Sequence, residues 1–173
     1  MKAQVITFLI VMGVISSCAK ISDQFPEDFN VVLNWDTGAL PPQYHYHYKV
    51  VIGPGSQGDF VYGPGYEDDN PETWTTSFEV TSDDLQSLYD YLKEYNVLRN
   101  QWESGQPLLG GQGTRVAVTA SGQQYLIPSV SEVSRGEREL IEQVIEKIRS
   151  YVPQSIWDEM AVRQSAYEHQ NSN

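Results

Sequence analysis

Between Tyr44 and Ile52 every second residue is aromatic or aliphatic. Tyr44, Tyr46, Tyr48, Val50 and Ile52 share one side of an extended chain, and His45, His47 and Lys49 share the other. A period of two is a strand with one face buried, so the tyrosine side belongs to a core. Further along the period changes. Leu85, Leu88, Tyr89, Leu92 and Tyr95 recur at helical spacing, after Thr81 or Ser82 as a cap and Asp83 and Asp84 as first-turn acids. A chain that switches period in this way must lay helices on a sheet.

The remaining segments fit that plan. Phe29 to Trp35 is a first strand, ended by Asp36-Thr37-Gly38 and Pro41-Pro42. Gly53 to Asp59 is a turn, Phe60 to Tyr62 pairs back, Gly63 to Glu72 is an acidic loop, and Trp74 to Val80 is another strand. Thr114 to Ala120 and Gln123 to Ile127 form a hairpin turned at Ser121-Gly122. A second helix follows, with a capping box of Ser134 and Glu137 and a stripe of Leu140, Ile141, Val144, Ile145 and Ile148. Pro153 stops it and starts a short third helix holding Ile156, Trp157 and Met160. The expected class is α+β: a largely antiparallel sheet covered on one face by two main helices, with a short C-terminal helix.

The first eighteen residues have a different character. Met1 and Lys2 are followed by an apolar run from Val5 to Ile15, broken only by Thr7 and Gly13. That run is too short to span a bilayer, which takes roughly 20 apolar residues, and has the flanks of an export signal. It ends in Ile15-Ser16-Ser17-Cys18, and Cys18 is the only cysteine in the chain. The tetrapeptide resembles the lipobox of bacterial lipoproteins, with Ile15 where that family usually has Leu. The resemblance implies cleavage before Cys18, a diacylglyceryl group on its thiol and usually an acylated new amine, so that the membrane is the first partner. Two or three acyl chains make such an anchor lasting, at about 0.8 kcal/mol per buried methylene. Ala19 stands where an inner-membrane retention signal would place Asp. The family rule then sends the protein to the periplasmic face of the outer membrane in a diderm host, and to the outer face of the cell membrane otherwise. Ser17-Cys18-Ala19 also fits an ordinary secretory cut, and an uncleaved anchor is a further alternative.

The expected organisation is a signal peptide over 1–17, the lipidated Cys18 with a tether to residue 28, one domain over 29–161 and a polar, frayed tail over 162–173. Losing the leader removes Lys2, so 10 basic and 23 acidic side chains leave a charge of −13. That excess opposes nucleic-acid backbones and anionic headgroups, and no nucleic-acid partner is expected.

No motif in the chain fixes a catalytic class. Gly53-Pro54-Gly55-Ser56-Gln57-Gly58 matches G-x-G-x-x-G, but a dinucleotide site needs a helix next, and Asp59 to Tyr62 reads as a strand, so the segment is a hairpin loop. Gly110 to Thr114 lacks the lysine of a phosphate loop and is a turn. His45 and His47 have ligand spacing on one strand face, yet the only other histidine is His169 in the tail, so they read as solvent-face residues. Glu67, Asp68, Asp69, Asn70 and Glu72 crowd oxygens without EF-hand spacing, which reads as a solvated loop. No G-x-S-x-G elbow exists, and 23 acids always supply carboxylate pairs without singling one out. No catalytic residue, cofactor or metal is therefore expected.

Trp35, Tyr44, Tyr46, Tyr48, Tyr62, Tyr66 and Trp74 gather in the N-terminal half, as a core or as a platform for a sugar or peptide, and the period-two stripe favours a core. The order of a glycine-bearing hairpin, a Leu-rich helix ending near Asn96-Val97-Leu98, a second hairpin and a closing helix is similar to small bacterial lipoprotein domains without assigned function and to emfourin-type metalloprotease inhibitors. That similarity carries no diagnostic motif and assigns no inhibitory residue. The leading expectation is a membrane-tethered, non-catalytic domain that binds a protein or another component of the envelope. An emfourin-like protease inhibitor and an envelope polysaccharide hydrolase are the alternatives.

Overall fold

The structure, a computed structural model, describes residues 23–66, 71–106 and 112–172. Cys18 and its leader lie outside that range, as do Glu67 to Asn70 of the acidic loop and Gly110 and Gly111 of the second glycine cluster. The fold is α+β. Strands β1 (Asn30–Asp36), β2 (Tyr46–Ile52), β3 (Gln57–Pro64), β4 (Trp74–Glu79), β5 (Gly113–Ala120) and β6 (Gln123–Ile127) make one sheet in the order β4-β3-β2-β1-β5-β6. Every pairing is antiparallel. Helices α1 (Ser82–Glu94), α2 (Arg135–Arg149) and α3 (Gln154–Asn171) complete it.

The alternation along the strands sorts their side chains into two faces. Val31, Leu33 and Trp35 are buried while Asn34 is exposed, and Tyr48, Val50 and Ile52 are buried around an exposed Lys49. The registers align Trp35, Tyr48, Tyr62 and Trp74 as one cross-strand row on the inner face. Trp35 stacks on Tyr48 with ring centroids 4.9 Å apart. From α3, Trp157 stands edge-on to both Tyr48 and Phe60, at 5.1 Å from each, an arrangement that aromatic quadrupoles favour. Helix α1 buries Leu85, Leu88, Tyr89 and Leu92, and α2 buries Ile141, Val144, Ile145 and Ile148. Strand and helix side chains join in one hydrophobic cluster, each fully buried aliphatic contributing roughly 1.5–3 kcal/mol. The outer sheet face carries Asn34, Asp36, His47, Lys49 and Arg115.

Local hydrogen bonds fix the element ends. Thr81 caps α1 through a capping box with Asp84: the Asp84 N–H donates to Thr81 Oγ1 at 3.1 Å, and the Thr81 N–H donates to Asp84 Oδ2 at 2.9 Å. Donation from the Thr81 hydroxyl, then from its N–H, holds the Asp84 carboxyl below its usual range. Asn96, with φ of 51°, ends α1 in the left-handed conformation that asparagine tolerates. Ser121 (φ 54°) and Gly122 (φ 72°) turn the β5–β6 hairpin. Asp28 accepts from both of their amides, at 2.8 and 2.6 Å, and these bonds, the Gly122 one foremost, lower its pKa.

Several expectations are corrected. Pro41-Pro42 leads into a 3-10 turn over Pro42–Tyr44, so β2 begins at Tyr46 and Tyr44 is 45% exposed rather than in the core. Strand β3 is longer than Phe60 to Tyr62 and takes in Gly63, because the hairpin turn is only Gly53 to Ser56. Ser134 precedes α2 but makes no side-chain cap: its hydroxyl donates to Glu103 Oε2 at 3.0 Å, while Glu137 pairs with Arg99. The C-terminal helix is not short, and residues 162–171 continue α3 instead of forming a frayed tail. The reason is Gln164, a buried residue whose Oε1 accepts from the Tyr62 hydroxyl at 2.6 Å and whose amide donates to Gln43 O at 3.2 Å.

Candidate functional site

The structure separates the two histidines. His47 lies on the outer face in register with Asp36 and Gly63, and its ring covers Gly63, where a side chain would collide with it. Asp36 covers Gly113 in the same way on its other side. His45 precedes β2 and is buried instead of facing solvent. Its ring stacks on Tyr66 at a centroid distance of 3.9 Å, and its Nδ1–H donates to Gly65 O at 2.7 Å, since a carbonyl only accepts. The rings are 6.4 Å apart. Among the described residues no group of three or more His, Cys, Asp or Glu side chains is placed to hold a metal, and neither histidine bonds to a serine. A groove of about 790 Å³ opens here, lined by Asn34, Asp36, His45, His47, Lys49 and Tyr66 among others.

A second site lies at the β4 edge, which no sequence motif marks. β4 pairs with β3 alone. The Val80 N–H donates to Ser56 O at 3.1 Å, so by the alternation of an antiparallel ladder Trp74, Thr76 and Phe78 bond inward to β3. Thr75, Ser77 and Glu79 then direct their N–H and C=O groups outward. Among the described residues no backbone bond satisfies those outward groups. Two hollows of about 620 Å³ flank the strand. One lies between β4 and α3, lined by Thr73, Trp74, Thr75, Arg163, Tyr167 and Gln170 with others; the second lies between Ser77 to Glu79 and the Pro54 to Gln57 turn. The Gly53 to Gly58 motif is thus a hairpin loop beside this edge, followed by a strand and not by a nucleotide-binding helix.

Side chains hold the α3 wall in place. The Arg163 guanidinium lies 4.6 Å from the Trp74 ring and pairs with Glu159 at 2.9 Å. The Tyr167 hydroxyl packs against Gly65, whose φ of 65° already excludes most side chains. Tyr62, bonded to Gln164, lines the hollow between β4 and α3, and burial pushes its hydroxyl pKa well above the ordinary tyrosine value. The three hollows are each lined by one carboxylate among the described residues, Asp36, Glu72 and Glu79. Backbone groups, aromatic rings and a guanidinium thus lie together along one edge. No helix among the described residues is long and apolar enough to cross a membrane.

No family model matches the sequence, and no curated protein matches it significantly.

The β4 edge escaped the sequence because edge position depends on sheet order. The pairing of β1 with β5, far apart in the chain, leaves β4 outermost. The signal that was present is compositional. Trp74-Thr75-Thr76-Ser77-Phe78 holds β-branched and aromatic residues with no proline or lysine, the residues by which edges are usually blunted.

Proposed function

We propose that the protein is a non-catalytic binding domain held to a membrane by lipid on Cys18, and that it engages a protein of the bacterial envelope through the β4 edge. The observation that carries the reading is the outer edge of β4, unpaired among the described residues, beside the hollow against α3. A free edge with hydrogen-bonding groups in register is a template for another chain. The lipobox-like Ile15-Ser16-Ser17-Cys18 supplies the address. In a diderm host, Ala19 directs the domain to the periplasmic face of the outer membrane.

Protease inhibition is a special case of the same reading, since a protease cleft also takes extended chain, and a panel of metalloproteases tests it. A polysaccharide hydrolase would require two carboxylates facing each other across a cleft, about 5 to 10 Å apart.

The binding reading is tested by placing a photo-reactive amino acid at Thr75, and at exposed Glu142 of α2 as a control, in the host's own cells. A discrete protein adduct at Thr75 and none at Glu142 supports it. Adducts equal at both positions, or none at either, overturn it.

A further inference from the structure

An edge strand selects for the backbone conformation of its partner as well as for its side chains. The outward N–H and C=O groups of Thr75, Ser77 and Glu79 recur every second residue, a spacing that only another extended chain can match group for group. The pairing of β4 with β3 runs without a bulge from Trp74 to Glu79, so nothing twists this edge away from an incoming strand. A helix laid along it would leave those groups unsatisfied.

We propose that β4 accepts an extended, basic segment of a partner protein, which adds to the sheet as a seventh strand and sends alternate side chains into the groove against α3. This rests on the binding reading above. A strand added here would lie about 4.8 Å from β4. Its inward side chains, which are the uncharged ones, would meet Trp74 and the Arg163 and Tyr167 side of α3. Its outward side chains would run beside Ser77 and Glu79, next to Asp59, which accepts from the Ser77 hydroxyl at 2.9 Å. The chain's formal charge of −12 adds a long-range attraction for cationic segments. Two copies of this chain, each at −12, repel one another, which disfavours edge-to-edge pairing of two β4 strands.

The test uses the lipidated full chain in detergent, with ten-residue peptides selected on it from a random display library as the probe. Peptides rich in Lys and Arg are expected. On binding, hydrogen exchange followed by mass spectrometry should slow in the segment containing Thr75, Ser77 and Glu79, and not in β6. Thr75→Pro removes one outward N–H and no β3 bond, as edge strands permit. It should weaken binding at least tenfold, while Thr75→Ala changes it less than threefold. Selected peptides that bind Thr75→Pro as tightly as wild type, or that protect a different segment, overturn strand addition while the binding reading stands on its cell crosslinks. Acidic or uncharged selected peptides overturn the charge assignment. A wild-type protein that dimerises through a protected β4 overturns the choice of partner. If the peptides fail and the Thr75 crosslink is also absent, it is the binding reading that has failed.

Discussion

Gln164 is a polar side chain only 6% exposed, and it fastens the outer half of α3 to the sheet. Its Oε1 accepts from Tyr62 at 2.6 Å, and its Nε2 donates to Gln43 O at 3.2 Å and to Glu168 Oε1 at 2.9 Å. Gln164→Leu keeps the volume and leaves the Tyr62 hydroxyl, in a residue itself 2% exposed, without its acceptor. The Tyr62 donor and the Gln43 carbonyl both lose a partner, each at about 1–3 kcal/mol, and the leucine recovers part of this by apolar burial, so a net loss of about 2 kcal/mol is expected. For a domain of this size that lowers the melting temperature by roughly 4–8 °C. Adding Tyr62→Phe removes the orphaned hydroxyl, so the double variant should be about 1 kcal/mol more stable than Gln164→Leu alone. Equilibrium urea unfolding of the chain without its leader reads both differences from the midpoints, provided the slopes agree. A Gln164→Leu protein within about 0.5 kcal/mol of wild type, or a double variant no better than the single, would refute the role given to this bond.

Three further outcomes follow from the same structure. Gly136 lies in the first turn of α2, and a methyl group added there would meet nothing within 4 Å, so Gly136→Ala should raise stability by about 0.5–1 kcal/mol in the same urea assay. Trp157→Ala deletes the ring that meets Tyr48, Phe60 and the Arg149 guanidinium, and should cost about 3 kcal/mol with a visible loss of near-ultraviolet circular dichroism. Asp28 and Asp84 have lowered folded-state pKa values, so the stability they contribute is present above the ordinary carboxylate value of 3.8 and is lost as pH falls through their folded values. Asp28→Asn should flatten the acid limb of a stability profile measured from pH 6 to pH 2.

What could be read in advance follows the physics of each segment. β2 and the β5–β6 hairpin were legible because alternation and the Ser121-Gly122 turn are local signals, and β6 runs over the expected Gln123 to Ile127. The Thr81 cap of α1 was equally local. α3 was not legible beyond Met160, since its far half is held by Gln164 and Tyr167, polar groups that leave no apolar stripe. The burial of His45 depends on Tyr66, far along the chain. The β4 edge depends on a sheet order that no single strand encodes. Ser134 and Glu137 matched a capping box in spacing, yet Glu103 and Arg99 captured them both.

Attachment to a membrane surface through Cys18 is the claim that sets where the proposed binding takes place. The most direct test is the intact mass of the protein purified from host membranes, measured beside a Cys18→Ala variant. The expected result is a chain that begins at Cys18 and carries acyl groups, with the variant unprocessed or released from the membrane fraction. An unmodified chain that begins after Cys18, recovered outside the membrane, would contradict it.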